Sequence, residues 1–354
     1  MSQRIETDDM ETYSVTYPRG QRIPIERAIL HASRGAVLLL VAIFATTAVL
    51  GRTPSLETQM IIYLVGMVAL NLPHGGYEHF TNVRRRGLPF GARYVGLYVT
   101  FLVGFVALFF VAPVVALVIA FATAVAKGGH GDLRVMDAIV GTDHLQYRPQ
   151  RALAAIVRGG AIMIVPLVFW TGPYINFSTL MLNVFDPGTV LPGLAYLDPI
   201  RAVLLGGFGI ALVMHLGGGL VVGGFSRSWL LDLLETSLLV VYFAVVPVVV
   251  AIGLYFPLWY SARQSARGIV AERETPAEDD GLPIVVAWAA LIAGAFATAL
   301  VMVALWVVAP APLAGASYLP GLVAFYTLFI CIVALPHVVV GEWLDVKRGI
   351  WYVP

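Results

Sequence analysis

The sequence predicts an all-α fold, a polytopic bundle of about nine or ten transmembrane helices. Of its 354 residues, 59% are hydrophobic and only 12% are charged, whereas soluble domains carry about 25% charged residues. The apolar residues also fall into runs of about the length that crosses a bilayer. The net charge of +1 favours no nucleic acid partner. We therefore expect a lipid bilayer to surround the chain.

Nine apolar runs are candidate membrane spans, because about 20 mainly apolar residues cross a bilayer. In chain order they are residues 36–50, 60–72, 95–111, 114–126, 152–170, 202–222, 230–259, 284–308 and 319–340. Residues 174–190 form a weaker tenth candidate, because they include two asparagines and an aspartate. Ten crossings would place all the basic loops on one side, and that side is normally cytoplasmic. We therefore expect ten crossings, a cytoplasmic N-terminus and multi-pass insertion in the plasma membrane.

Three regions follow from this pattern: a polar tail over residues 1–33, a transmembrane domain over 34–345 and a short tail over 346–354. The first region mixes both signs of charge and lacks the apolar core of a signal peptide. The single cysteine, Cys331, lies in an apolar run, which predicts a small buried side chain. The sequence contains no phosphate-binding loop, zinc-protease helix or nucleophile elbow.

The first histidine motif follows the second apolar run. Ionisable residues at membrane depth are costly and usually mark function. Here the motif reads Pro73-His74-Gly75-Gly76-Tyr77-Glu78-His79. Glu78 lies one helical turn after His74, where a carboxylate can fix the tautomer of the imidazole. We predict that His74 and Glu78 are catalytic, although a hydrated helix end would have the same sequence.

Three further motifs place polar groups near the ends of apolar runs, and a lone histidine lies inside one. They are Lys127-Gly128-Gly129-His130-Gly131-Asp132, the segment from Tyr255 through Tyr260 to Gln264, and Pro336-His337. The glycines at positions 128, 129 and 131 predict that the fourth span ends there. We expect His144, which follows this span, to lie at the surface. His215 lies about 21 Å into its span, at 1.5 Å per residue. Helix packing or an aromatic belt would explain several of these residues without a functional site.

In this order, the motifs resemble those of the Brp/Blh family of membrane β-carotene 15,15′-dioxygenases. The family pattern runs PHGxxDH, HxGxxD, RGxxxxxxP, YFxxxHSxRH and a late PH, and the third element is matched by Arg158, Gly159 and Pro166. The resemblance covers residues 55–345, roughly. It implies a helical membrane enzyme that uses non-haem ferrous iron and O₂ to cleave β-carotene centrally into two retinal molecules. It also implies a microbial rhodopsin as a partner that receives the retinal.

The resemblance further implies four iron-binding histidines, of which only His74 is kept. Lys127, Tyr260 and Gln264 occupy the other three positions, and their side chains are weaker ligands for ferrous iron than imidazole. We therefore predict that these three residues contact the carotenoid or retinal ligand. A rebuilt iron site would draw on the remaining histidines, and the candidate metal ligands are His74, His130, His215 and His337.

Two interpretations stay open. In the first, the chain is an iron-dependent enzyme that cleaves β-carotene or a related polyene. In the second, it is a non-cleaving relative that binds carotenoid or retinal and has no cofactor. A channel or transporter ranks third, because no series of charged residues lies along the spans.

Overall fold

The structure, a computed structural model, describes residues 24–71, 92–191, 197–274 and 284–343. Within those ranges the chain is helical with short connections and contains no strand, which confirms the predicted all-α class. The elements are α1 (Ile25–Val49), α2 (Leu56–Leu64), π1 (Val65–Asn71), α3 (Ala92–Val111), α4 (Pro113–Val135), π2 (Met136–Val140), α5 (Arg148–Phe169), α6 (Thr171–Asn183), α7 (Leu197–Gly223), α8 (Arg227–Val245), α9 (Val248–Tyr255), π3 (Phe256–Ser261), α10 (Ala262–Glu274), α11 (Ile284–Val308) and α12 (Tyr318–Trp343). The helix α1 begins inside the region predicted as a tail.

The helices have the lengths and surfaces of a multi-pass membrane protein. Six of those described are long and apolar enough to cross a bilayer, namely α1, α4 with π2, α5, α7, α8 and α12. Three shorter apolar helices cover Leu56–Val68, Val95–Val111 and Ile292–Val308. Large apolar side chains face outward, such as Val203 at 74% and Val221 at 86% exposure. Lipid is the natural solvent for such a surface, so the prediction of a multi-pass membrane protein is confirmed.

The seventh predicted span, residues 230–259, is divided into two helices rather than one. The helix α8 ends at Val245, and Pro247 precedes α9. Across this corner the Tyr242 hydroxyl donates a hydrogen bond to the Ala251 carbonyl at 2.9 Å. Farther along, Arg263 of α10 binds Glu235 of α8. The limb α9–π3–α10 therefore returns alongside α8 as a helical hairpin.

The weak tenth candidate, residues 174–190, does not form a crossing of its own. The helix in that region, α6, has 13 residues, which corresponds to about 20 Å at 1.5 Å per residue. The hydrocarbon core of a bilayer is about 30 Å thick. The limb α9–π3–α10 is likewise not among the described helices that are long and apolar enough to cross a bilayer.

The glycines of the second motif do not end α4, contrary to the sequence prediction. The helix continues to Val135, and the glycines allow the backbones of α4 and α5 to touch. A Cβ atom on Gly129 would lie 1.9 Å from the Ala155 carbonyl oxygen, and one on Gly159 would lie 2.0 Å from that of Val125. This contact brings the polar side chains of the two helices into the interior.

Candidate functional site

Three of the predicted ligand-contacting residues lie together where α4 meets π3 and α10. The ammonium nitrogen of Lys127 stands 5.5 Å from the centre of the Tyr260 ring, within range of a cation–π interaction. A Cβ atom on Gly131 would lie 2.9 Å from both the Tyr260 ring and the Gln264 amide nitrogen. Gly131 therefore makes room for this polar group. We call Lys127, Tyr260 and Gln264 the polar cluster.

The amide of Gln264 is buried without a hydrogen bond among the residues described. The residue is 5% exposed, and neither its nitrogen nor its oxygen has a partner there. The indole nitrogen of the neighbouring Trp259 is in the same situation. An unpaired buried polar group costs about 1–3 kcal/mol. Such groups are therefore available to a ligand that brings a complementary polar atom.

A buried network of ion pairs lies directly beside the polar cluster, and we call it the ionic network. It links α1, α4, α5, α8 and α10. Its six charged members are Arg34, Arg158, Arg263, Asp132, Asp232 and Glu235. Three guanidinium groups and three carboxylates cancel, so the network carries no net formal charge. This balance allows it to remain inside an apolar bundle.

Arg158 stands at the centre of the ionic network and binds all three carboxylates. It donates to Asp132 at 2.6 Å, to Asp232 at 2.7 Å and to Glu235 at 2.6 Å. Its side chain is fully buried. This arginine and the following Gly159 both belong to the third element of the family pattern. The structure shows a different role for each of them. The arginine joins three helices, and the glycine allows two of them to approach.

Arg263 completes the network from α10. Two of its nitrogens bind the Glu235 carboxylate in a bidentate pair at 2.8 Å, and its Nε binds Asp132 at 2.8 Å. Burial alone would disfavour its charge, but the bonds to the carboxylates of Asp132 and Glu235 compensate for that cost. Arg34 of α1 binds the same Glu235 at 2.6 Å.

The ionic network also sets the geometry of the polar cluster. Asp132 follows Gly131 on α4, and Arg263 precedes Gln264 on α10. The ion pair between Asp132 and Arg263 therefore fixes Gln264 against Gly131. Because the positions are adjacent on both helices, a shift of one ion pair would move the polar cluster with it.

Two histidines flank Asp232 on the opposite side of the network. His144 Nε2 lies 2.9 Å from the carboxylate, and His144 Nδ1 lies 3.2 Å from the Ser228 hydroxyl. His215 Nε2 lies 3.1 Å from the same carboxylate oxygen. The prediction of a surface position for His144 is wrong, because the residue is completely buried. It packs against Gly219 and Gly223 of α7, where a Cβ atom would clash with it.

The other predicted site residues lie partly outside the described chain. His74 and Glu78 fall in the range that the structure leaves out, although π1 ends shortly before them and packs against π3, which holds Tyr260. His337 belongs to α12, and His130 is half-buried on α4. Within the described residues no three histidine, cysteine or acidic side chains are grouped to hold a metal ion. The rebuilt iron site, from His74, His130 and either His215 or His337, stays a prediction.

Sequence reasoning missed Asp232 and Glu235, the acidic half of the ionic network. Both lie in the apolar run 230–259, where a carboxylate is costly unless it is paired. Their spacing of three residues, with Thr236 next, places them on one helix face. That signal was available, and it pointed to buried arginine partners.

Comparison with known proteins gives similarity over nearly the whole chain. A family model described as Beta-carotene 15,15'-dioxygenase matches residues 65–345. The chain is 49% identical over 338 residues to a probable beta-carotene 15,15'-dioxygenase Brp of Halobacterium salinarum (strain ATCC 29341 / DSM 671 / R1), an alignment that covers 92% of this chain and 94% of that relative. It is 31% identical over 322 residues to a probable beta-carotene 15,15'-dioxygenase Blh of Halobacterium salinarum (strain ATCC 700922 / JCM 11081 / NRC-1), over 88% and 91% of the two chains. No solved structure matches.

Proposed function

Because the chain belongs to the beta-carotene 15,15′-dioxygenase family, we propose that it cleaves β-carotene at the central double bond. The reaction adds one atom of O₂ to each carbon of that bond. It yields two retinal molecules, which together contain all the atoms of β-carotene and O₂. The observation that carries the proposal is 49% identity over nearly the full length of a relative named for this activity. The plasma membrane as its location, a cytoplasmic N-terminus and a microbial rhodopsin as recipient of retinal belong to the same proposal.

We assign the polar cluster to the middle of the substrate site, where the central double bond is cleaved and the oxygen atoms appear. A carotene offers no hydrogen-bonding group, whereas each retinal carries a carbonyl oxygen. The Gln264 amide nitrogen and the Trp259 indole nitrogen are buried donors without partners in the described residues, and either suits that oxygen. Lys127 lies over the Tyr260 ring and adds positive charge where negative charge would develop on oxygen.

Iron is the cofactor that the family implies, and the polar cluster does not fit it. Lysine is a cation, and phenol and amide groups bind ferrous iron less well than imidazole. These three residues therefore do not hold iron. We propose instead that His74, His130, His215 and His337 supply metal ligands, and that His74 and Glu78 are catalytic.

A second candidate function is that of a non-cleaving carotenoid- or retinal-binding protein. The polar cluster favours it, because its three groups, one of which is the buried Gln264 amide, bind iron poorly. Such a protein would hold the polyene among the apolar helices and would need no cofactor.

Expression in cells that produce β-carotene separates the two functions. Pigments are extracted for retinal, and the purified protein is analysed for iron. The enzyme proposal predicts retinal and about one iron per chain, with both lost in His74→Ala. Carotenoid that copurifies unchanged, without retinal or iron, would support the binding protein. Cells that yield neither retinal nor bound pigment would contradict both.

A further inference from the structure

A small pocket lined by basic side chains opens where α1, π2 and α8 meet. Its walls are Arg27, Leu30, His31, Arg34, Ile139, Val140, Arg227 and Leu231, and we call it the basic pocket. Its volume is about 110 Å³, whereas a single water needs about 10–15 Å³ by this kind of measure. The pocket therefore has room for a group of several non-hydrogen atoms.

The basic pocket has an excess of positive charge. Arg27, His31 and Arg34 follow one another at spacings of four and three residues, so they share one face of α1. Arg227 adds a further guanidinium from α8. None of the described residues that line the pocket is acidic. Glu235 binds Arg34 from the interior side and is already shared with two other arginines.

Arg227 occupies a position that disfavours a cation. It is the first residue of α8, after the capping residue Ser226, whose hydroxyl accepts a hydrogen bond from the Trp229 amide. The N-terminus of a helix carries partial positive charge, and its first N–H groups lack partners within the helix. No ion pair to Arg227 occurs in the part of the chain that the structure covers. An anion in the pocket would offset the charge of this guanidinium beside the helix end.

The location of the basic pocket indicates what kind of anion it takes. The helix α1 becomes apolar from residue 36 onward, and α8 carries no charged residue between Glu235 and its end at Val245. The pocket therefore lies at the boundary between the membrane-spanning segments and the polar face of the bundle. Leu30 and Leu231 give it an apolar wall beside the basic groups. Phosphate groups of lipids occupy this depth, with acyl chains on the apolar side.

We propose that the basic pocket binds the phosphate of an anionic membrane lipid. The lipid would rest its glycerol and upper acyl carbons against the apolar wall. Through Arg34 and Glu235 the bound phosphate would also be joined to the ionic network, because Glu235 binds Arg263 beside the polar cluster. Binding of the lipid at the basic pocket does not depend on whether the protein cleaves carotene.

The test is native mass spectrometry of the purified full-length protein with phosphatidylglycerol or phosphatidylcholine of the same acyl chains. We expect phosphatidylglycerol to be retained preferentially. Arg27→Gln and Arg227→Gln should each lower its retention about fivefold, the usual effect of one basic residue near an anionic membrane surface. The double variant Arg52→Gln/Arg148→Gln removes two exposed arginines away from the pocket and should retain the lipid as the wild type does.

A further experiment tests whether the bound phosphate belongs to a lipid or is free inorganic phosphate. Inorganic phosphate at millimolar concentration should neither displace the lipid nor raise the thermal stability of the protein. Stabilisation by inorganic phosphate without preference for phosphatidylglycerol would overturn the assignment to a lipid. Equal lipid retention by wild type and pocket variants would overturn the site itself. If an arginine variant fails to fold, His31→Gln, at an exposed position of the pocket, provides the same comparison.

Discussion

Arg158 illustrates how a full charge is kept inside a membrane bundle. Its guanidinium binds three carboxylates from two helices, and each bond is between 2.6 and 2.7 Å long. The arginine was visible in the sequence as part of a motif, but its partners were not. Asp132 precedes it by 26 positions, and Asp232 follows it by 74. Pairings over such separations depend on how the helices pack, and no local pattern encodes them.

Replacing Arg158 with methionine should strongly destabilise the protein. The variant leaves three buried carboxylates opposite two guanidiniums, and removing one partner of a buried pair costs about 3–5 kcal/mol. We expect a lower yield and a lower thermal unfolding temperature in detergent. Arg148→Gln, an exposed arginine on the same helix, should be neutral. Equal stability of the two variants would contradict the structural importance of the ionic network.

Unlike the replacement of Arg158, the replacement of Gln264 should leave the protein stable. Its amide lacks partners in the described residues, so Gln264→Leu removes an unsatisfied polar group, and the free energy of unfolding should stay constant or rise by about 1 kcal/mol. Retinal yield in carotene-producing cells should fall at least several-fold. Gln146→Leu, at an exposed position, should change neither quantity. A fully active Gln264→Leu protein would show that the amide does not serve the reaction.

At the scale of elements, the contact between α4 and α5 depends on glycine. Sequence alone indicated a helix stop at residues 128–131, since glycine commonly ends helices. The structure gives a different reason, namely backbone contact between Gly129 and the chain around Ala155. Propensity could not predict this, because the requirement comes from a neighbouring helix. Pro247, in contrast, was a local signal for the corner between α8 and α9 that the length of the apolar run concealed.

Gly129→Ala and Gly159→Ala should each push α4 and α5 apart. Each new Cβ atom would lie about 2 Å from a backbone oxygen, and overpacking of this kind costs about 1–3 kcal/mol. Thermal unfolding and retinal yield should both decrease. Gly217→Ala is the matched control, because no atom lies within 4 Å of its added Cβ atom. Helix propensity should make that variant equally or slightly more stable, and an equal loss in all three would refute close packing as the cause.

At the scale of the whole molecule, hydropathy predicted most of the architecture. Apolar runs located most of the membrane helices within a few residues, because lipid requires continuous apolar segments with satisfied backbones. The exceptions are α1, which begins earlier than its run, α4, which continues past its run, and the divided run 230–259. The resemblance to the family also implied a common site for Lys127, Tyr260 and Gln264, because they occupy three of the four iron-ligand positions of its pattern. The hairpin of α8 and α9 and the ionic network depend on tertiary contacts. The sequence alone therefore predicted neither of these two features.

Opposite ends of α5 should lie on opposite sides of the membrane. Arg148 begins this helix, and at its other end the Val168 carbonyl accepts a hydrogen bond from Arg201, close to Asp198 at the start of α7. In a Cys331→Ala background, Arg148→Cys and Asp198→Cys should react with a membrane-impermeant maleimide from different sides. The arginine position should be the cytoplasmic one. Labelling of both from the same side would rule out α5 as a crossing.

The most direct test of the central claim is product analysis of the purified protein with β-carotene and O₂. Chromatography and mass spectrometry identify the aldehydes and their ratio to the carotene consumed. Cleavage at the central bond predicts retinal as the only aldehyde, with two molecules formed for each carotene lost. Unchanged carotene, or a mixture of longer and shorter aldehydes, would contradict the proposed function.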